Sequence, residues 1–124
     1  MAKPPEDCLF CSIARSGTYV NEAKGFVAIN DINPQAPVHI LVLPVRHVDT
    51  FREISDFDAK ETKRMLEFVA ETAKQAGLTD YRVLMNVGPS AGQTVFHLHW
   101  HILGGGPGSR ADVPGTVATA VVEP

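Results

Sequence analysis

The spacing of apolar residues along the chain predicts several strands. Two runs, Phe26–Ile29 and Val38–Leu43, are rich in β-branched and apolar residues and end at turn-forming residues or proline, as strands do. The second run is apolar at almost every position, which predicts burial on both of its faces. Tyr81–Val87 and Thr94–Leu103 are predicted as further strands, with Gly88–Gly92 as the tight loop between them.

Two segments have the pattern of helices instead. Asp58–Glu61 fits a capping box, and Gly77 supplies a stop. Between them apolar residues recur at three- and four-residue spacing, at Met65, Phe68, Val69, Ala73 and Ala76. A shorter helix is predicted over Cys8–Arg15. Several strands with one dominant helix indicate an α+β fold with a mainly antiparallel sheet of about five strands.

Length and charge limit the class of protein. The chain has 124 residues, of which 44% are hydrophobic and 20% charged, and we expect one domain over residues 1–124. Within it, residues 1–7 read as a flexible lead-in and residues 104–124 as a Gly/Pro-rich tail, in which Thr116–Val122 either adds an edge strand or lies over the surface. The net charge of −3 argues against a nucleic-acid partner. No apolar run approaches about 20 residues and no signal sequence is evident, so we expect no membrane segment and a cytoplasmic protein.

The most informative motif is a His-x-His-x-His run. Strand side chains alternate between faces, so the three imidazoles are expected on one face, a working surface, and the intervening residues on the core face. The alternative is that they are ordinary exposed positions, which Thr, Lys or Glu would fill equally well. The imidazoles are His97, His99 and His101, and the core-facing residues are Leu98, Trp100 and Ile102.

Two chemistries suit such a face. The histidines could hold a catalytic zinc ion, or one of them could be a nucleophile toward phosphorus. The preceding loop, Gly88–Thr94, favours the second, because its N–H groups, the Gln93 amide and the Thr94 hydroxyl could hold an anion. No P-loop or GxGxxG fingerprint is present, so a nucleotide site here is of another type.

Two segments carry a resemblance to a known family. Residues 31–47 read DINPQAPVHILVLPVRH and residues 92–105 read GQTVFHLHWHILGG. Together they resemble the histidine triad (HIT) family of nucleotide hydrolases and transferases, and the short chain is similar to its Hint branch of nucleoside phosphoramidate hydrolases. The resemblance extends from about Cys8 to Gly105.

The resemblance implies roles for individual residues. His99 aligns with the nucleophile, His97 and His101 with the flanking triad members, and His39 with a fourth histidine. Thr94 stands where the family commonly has serine near the leaving group. A nucleophilic His99 needs a fixed acceptor, such as a backbone carbonyl, for its second ring nitrogen. The implied nucleotide-binding residues are Asp31, Ile32, Asn86, Gly92, Gln93, Thr94, His99 and His101.

Two of these residues have ordinary explanations on their own. Asp31 follows a predicted strand, where aspartate often caps a turn. Asn86 ends a predicted strand, where an exposed amide is common. Trp100 faces away from the histidines and is expected in the core or at a subunit interface.

Cys8 and Cys11 form a Cys-x-x-Cys pair. The resemblance implies a structural zinc site completed by His47 and His97, as in some bacterial relatives. The alternatives are a redox pair, which lacks its usual βαβ context here, and two thiols buried in the first helix.

The resemblance implies hydrolysis of purine nucleoside phosphoramidates through a covalent nucleotidyl-histidine, in a homodimer. Catalysis itself would need no metal. Alternatives are a dinucleoside polyphosphate hydrolase, a nucleotide-binding module with little turnover, and a three-histidine metalloenzyme. The tail departs from familiar branch endings, which leaves substrate choice open.

Overall fold

A computed structural model describes residues 8–105. Its α-helices are α1 (Leu9–Ser16) and α2 (Ala59–Gln75), with 3₁₀ helices at Phe51–Asp56 and Pro89–Ala91. Its strands are β1 (Asn21–Ala23), β2 (Phe26–Asn30), β3 (Val38–Pro44), β4 (Arg82–Leu84) and β5 (Trp100–Gly104). They form one antiparallel sheet in the order β1-β2-β3-β5-β4, which confirms the α+β class.

Several sequence expectations fall outside these residues. The lead-in of residues 1–7, the tail from residue 106 onward and the strand considered for Thr116–Val122 all lie outside the described part of the chain. Gly104, expected to open the tail, is the last residue of β5. A single domain for the whole chain stays a prediction.

The long helix forms where its capping signals predict. The Asp58 side chain accepts a hydrogen bond from the Glu61 N–H at 2.7 Å, which satisfies one of the donors that a helix leaves unpaired at its start. Gly77 follows the helix with φ of +82°, a conformation that favours glycine. Within residues 8–105, no helix is both long and apolar enough to cross a bilayer.

The sheet is covered on both faces, as the apolar run of β3 predicts. Ile40 and Val42 pack in one buried cluster with residues of α2, including Met65. Leu41 and Leu43 pack in a second cluster with α1, through Phe10 and Ala14. The sheet therefore separates a larger core under α2 from a smaller one under α1.

Two predicted strands are shorter than expected. Tyr81–Val87 forms a strand only at Arg82–Leu84, and Thr94–Leu103 only from Trp100. The register of β5 against β3 ends at Trp100 and Val42. Before that point the Leu98 N–H donates to the Val48 carbonyl at 2.6 Å, so the chain follows the segment after β3 and leaves the sheet. The prediction that placed His97 and His99 within a strand is therefore wrong.

Two elements were not predicted. β1 pairs with β2 through a tight connection in which Gly25 has φ of +90°. The 3₁₀ helix at Phe51–Asp56 begins with a complete capping box between Thr50 and Glu53. Its Thr-x-x-Glu pattern was readable in the sequence, and it was the signal that could have revealed this element.

Candidate functional site

Four imidazoles meet on the α1 side of the sheet. His39 lies on β3, His101 lies on β5, and His97 and His99 lie just before β5. The ring centroids of His99 and His101 are 5.1 Å apart, as are those of His39 and His101. All four residues are at most 3% exposed, so the histidine face is buried and the alternative that these are ordinary exposed positions is wrong.

The ring of His99 is held in one tautomer by its own neighbour. Its Nδ1 lies 2.7 Å from the carbonyl oxygen of His97. Because a carbonyl oxygen only accepts hydrogen bonds, Nδ1 must carry the proton, and the neutral ring then has its lone pair on Nε2. This is the backbone anchor that a nucleophilic His99 requires.

Phe10 of α1 packs against the same ring. Its ring meets His99 edge to face, with centroids 5.0 Å apart, and it also contacts His97 at 6.2 Å. Phe10 is 2% exposed, so α1 closes this side of the cluster. This contact was not predicted, although an aromatic residue between two cysteines at the start of a short helix was its signal.

Asp31 joins the cluster from the turn after β2. Its Oδ2 lies 3.4 Å from His39 Nε2, and both side chains are fully buried. Its Oδ1 accepts a hydrogen bond from the Asn33 N–H at 2.8 Å, so Asp31 also caps a turn. Burial lowers the pKa of His39 below its ordinary 6.5. The charge of Asp31 partly opposes this shift by raising the pKa, and nearby His99 lowers it further.

Gln93 braces the loop that precedes the histidines. Its Oε1 accepts from the Gly88 N–H at 2.9 Å, and its Nε2 donates to the carbonyls of Asp49 and Val95 at 3.0 and 3.1 Å. Both ends of the amide are therefore engaged by backbone. The Gln93 side chain holds the loop in place in this conformation, rather than offering its amide to an anion.

The other expected nucleotide contacts lie around this loop and the Asp31 turn. The Asn86 amide donates to the Ala91 carbonyl at 2.7 Å, and the Gly92 N–H closes the turn onto Pro89. Thr94 is exposed. Ile32 is 86% exposed beside buried Asp31, an unusual position for a branched apolar side chain.

A second cluster brings together Cys8, Cys11, His47 and His97. Their ligand atoms all lie within 4.8 Å of one another. Cys11 Sγ is 3.2 Å from His47 Nδ1 and 3.4 Å from His97 Nδ1, and Cys8 Sγ is 3.5 Å from the latter. A tetrahedral zinc ion with ordinary bond lengths separates its sulfur and nitrogen ligands by about 3.5 Å, so the four residues fit such an ion.

The imidazoles of this second cluster are oriented by partners at Nε2, on the side of each ring away from the thiols. His97 Nε2 donates to the Pro44 carbonyl at 2.7 Å, and His47 Nε2 contacts the Asp49 carboxylate. Each ring therefore turns its Nδ1 lone pair toward the thiols, the arrangement of protein zinc sites. Without an ion, burial and the adjacent Cys8 raise the pKa of Cys11 to about 12.

The chain has relatives of known sequence and structure. A family profile, the HIT domain, matches residues 15–108 and so spans all five histidines. Protein HitA of Neisseria gonorrhoeae is 40% identical over 103 residues, which are 80% of this chain and 96% of HitA. The purine nucleoside phosphoramidase of Escherichia coli K12 is 40% identical over 82 residues, 64% of this chain and 69% of that enzyme. The structure of a HIT family hydrolase from Clostridium thermocellum has a TM-score of 0.76 at 38% identity, covering 86% of this chain and 96% of that one.

Acidification is expected to destabilise the metal-free protein from about pH 6.5 downward. Burial lowers the pKa of His97 to about 4 and also lowers the pKa of His39. Between about pH 6.5 and pH 4 the unfolded chain therefore binds more protons than the folded one. The free energy of unfolding then falls by up to about 1.4 kcal/mol per pH unit for each such proton. Urea unfolding in EDTA at several pH values measures this slope, and a midpoint that rises on acidification contradicts it.

Proposed function

This chain is a hydrolase of the HIT domain family, and we propose that it hydrolyses purine nucleoside phosphoramidates with His99 as the nucleophile. The observation that carries the proposal is the 2.7 Å contact between His99 Nδ1 and the His97 carbonyl. It leaves the Nε2 lone pair as the reactive atom of a neutral ring. The similarity to a purine nucleoside phosphoramidase, 40% identical over 82 residues, supports this substrate class.

The proposed reaction has two displacement steps at phosphorus. His99 Nε2 attacks the α-phosphorus, a P–N bond to His99 forms, and the P–N bond to the amine breaks as the amine leaves with a proton taken up from solvent. Water then attacks the same phosphorus and returns a proton to solvent, the bond to His99 breaks, and the nucleoside monophosphate is released. A covalent intermediate of this kind divides one difficult displacement into two easier ones.

The surrounding residues have matching proposed roles. His101 and His97 flank the nucleophile, with His101 near the phosphoryl oxygens, and His39 completes the cluster. Thr94 supplies a hydroxyl near the leaving group, in place of the serine common in the family. Its added methyl group would affect rate or substrate range more than the chemistry itself.

The nucleoside half has a proposed place at the Asp31 turn. A carboxylate at Asp31 can accept hydrogen bonds from ribose hydroxyls, and Ile32, 86% exposed, offers an apolar surface for a base. Asn86, Gly92 and Gln93 belong to the loop on the phosphate side. Gln93 acts there through the backbone that it braces.

Replacement of the nucleophile tests the reaction directly. We expect His99→Ala to lower kcat on an adenosine phosphoramidate by at least about 10⁴-fold, because no other group replaces a missing nucleophile. Intact-mass spectrometry of samples quenched early in turnover should show an added adenylyl group on the unmodified protein and none on the variant. A far-UV circular dichroism spectrum of His99→Ala that matches the unmodified protein is the control that the variant is folded.

Other outcomes would favour other functions. Turnover of a dinucleoside polyphosphate without phosphoramidate turnover would move the assignment to the alternative hydrolase. AMP binding with neither adduct nor turnover would indicate a binding module. Activity that chelators abolish and that survives loss of both cysteines would indicate a three-histidine metalloenzyme.

We propose further that Cys8, Cys11, His47 and His97 hold a structural zinc ion. The fit of the four ligand atoms and the contacts of the two rings with Pro44 and Asp49 support it. Bound there, zinc would stabilise the fold by linking the start of α1 to His47 and His97, and it would take no part in the chemical steps. In this arrangement Phe10, which lies between the two cysteines, is kept against His99.

The zinc proposal is tested by metal content and stability. The Cys8→Ser/Cys11→Ser variant should lose bound zinc and melt at a lower temperature, whereas Ser12→Ala, at an exposed position of α1, should change neither. Asp49→Ala should weaken zinc binding about 10- to 100-fold, because it removes the carboxylate behind His47 and keeps the backbone carbonyl that holds Gln93. A protein without zinc after purification in zinc-containing buffer, or with a disulfide in its place, contradicts the proposal.

We propose that the working form is a homodimer, as the family resemblance implies. β4 is an edge strand of the described sheet, and its Val83 is 41% exposed, so a second chain could extend the sheet or cover this residue. Light scattering during gel filtration should give twice the 13.4 kDa mass, and Val83→Glu should shift it toward the monomer. A monomeric mass for the unmodified chain contradicts the proposal.

The cytoplasmic location stays a prediction.

A further inference from the structure

We propose that the backbone N–H of Gln35 is a positioning group that fixes the direction of a hydrogen-bond chain through His39 to His101. The chain makes His101 Nε2 a proton donor, which faces phosphoryl oxygens if His99 is the nucleophile proposed above. Its first two links are independent of any substrate. Only the last step rests on the proposed function.

The first link fixes His39. The Gln35 N–H donates to His39 Nδ1 at 3.0 Å. An amide N–H can only donate, so Nδ1 must be unprotonated. His39 is 3% exposed and burial favours its neutral form, which places the remaining ring proton on Nε2.

The second link passes this direction to His101. His39 Nε2 lies 2.9 Å from His101 Nδ1, so the Nε2–H group donates a hydrogen bond that His101 Nδ1 accepts. Asp31 agrees with this assignment, because its Oδ2 lies 3.4 Å from the same Nε2 and, although the two atoms form no hydrogen bond, a negative charge there favours a proton on that nitrogen. An amide on one edge of the His39 ring and a carboxylate beside the other select a single tautomer.

These two links determine that Nε2 of His101 carries the ring proton. A neutral ring that accepts at Nδ1 carries its proton on Nε2. The neighbouring ring of His99, 5.1 Å away between centroids, has the opposite tautomer, with its lone pair on Nε2. The His99 ring therefore offers a nucleophilic lone pair and the His101 ring a hydrogen-bond donor, the combination that attack on an anionic phosphoryl group requires. With the chain reversed, His101 would present a lone pair to those oxygens.

The turn that carries Gln35 is closed upon itself. The Gln35 side-chain Nε2 donates to the Asn33 carbonyl at 3.0 Å, and the Asn33 N–H donates to Asp31 Oδ1 at 2.8 Å. The Asp31 N–H donates in turn to the His39 carbonyl at 3.0 Å. These contacts hold the Gln35 amide and the His39 ring in one rigid unit, so the first link does not depend on a bound ligand.

The first test uses the unmodified protein without substrate. A long-range ¹H–¹⁵N spectrum near neutral pH assigns the tautomer of each of the five imidazoles. We expect the proton on Nε2 in both His39 and His101 and on Nδ1 in His99. A proton on Nδ1 of His39 or of His101 overturns the inference. Because no turnover is measured, this result is independent of the proposed substrate class.

The second test removes the donor and keeps a matched control. Gln35→Pro has no N–H at this position, whereas Gln35→Ala keeps it and loses only the side-chain contact with Asn33. We expect Gln35→Pro to shift the His39 and His101 tautomers and to lower kcat about 100-fold, the usual effect of losing one donor to a transition-state oxygen. Gln35→Ala should keep both tautomers and stay within about threefold of the unmodified protein, the spread of an ordinary surface change.

The outcomes separate the inference from the function on which it rests. A folded Gln35→Pro with the tautomers and kcat of Gln35→Ala overturns the inference. If circular dichroism shows that Gln35→Pro is unfolded, an ester bond in place of the 34–35 amide removes the same N–H without a ring, and the same criteria apply. Tautomers as expected, in a protein that turns over no phosphoramidate, overturn the proposed function and keep the hydrogen-bond chain.

Discussion

The structure around the site depends on one requirement: each buried imidazole needs a different kind of partner for each of its two ring nitrogens. A neutral imidazole away from water has one N–H that must find an acceptor and one lone pair that must find a donor or a metal. His99 donates to a carbonyl, His97 donates to another, and His39 accepts from an amide. Since these partners are backbone groups fixed by the fold, the tautomers are decided before any ligand arrives.

His97 shows how one residue serves two clusters. Its side chain turns a lone pair toward Cys8 and Cys11, and its carbonyl holds the proton of His99. The cysteine cluster and the nucleophile proposed here are therefore joined through a single residue, and again through Phe10 on the helix between the cysteines. A disturbance of the cysteine cluster would reach His99 through a few rigid contacts.

Asp49 has a comparable double role on the other side. Its carboxylate contacts His47, while its backbone carbonyl accepts from Gln93, which braces the loop before the histidines. The loop position and the orientation of His47 thus share one residue. The carboxylate and the carbonyl of Asp49 act separately. A substitution that leaves the backbone in place therefore affects His47 alone, whereas one that moves the backbone also affects Gln93.

Local patterns in the sequence determined the fold class, the long helix with its cap, and the opposite facing of the histidines and Leu98, because each depends on residues only a few positions apart. The resemblance to a known family, carried mainly by two short segments, supplied the list of site residues. Tertiary structure alone decided how these residues meet, since His39 and His101 are 62 positions apart and Cys8 and His97 are 89 apart. It also decided that β5 begins only at Trp100, that α1 buries the histidine face, and that a backbone amide at Gln35 reaches an imidazole. Such contacts depend on how whole elements pack. Backbone N–H and carbonyl groups are common to nearly all residues, proline excepted, so side-chain patterns do not reveal which of them reaches an imidazole.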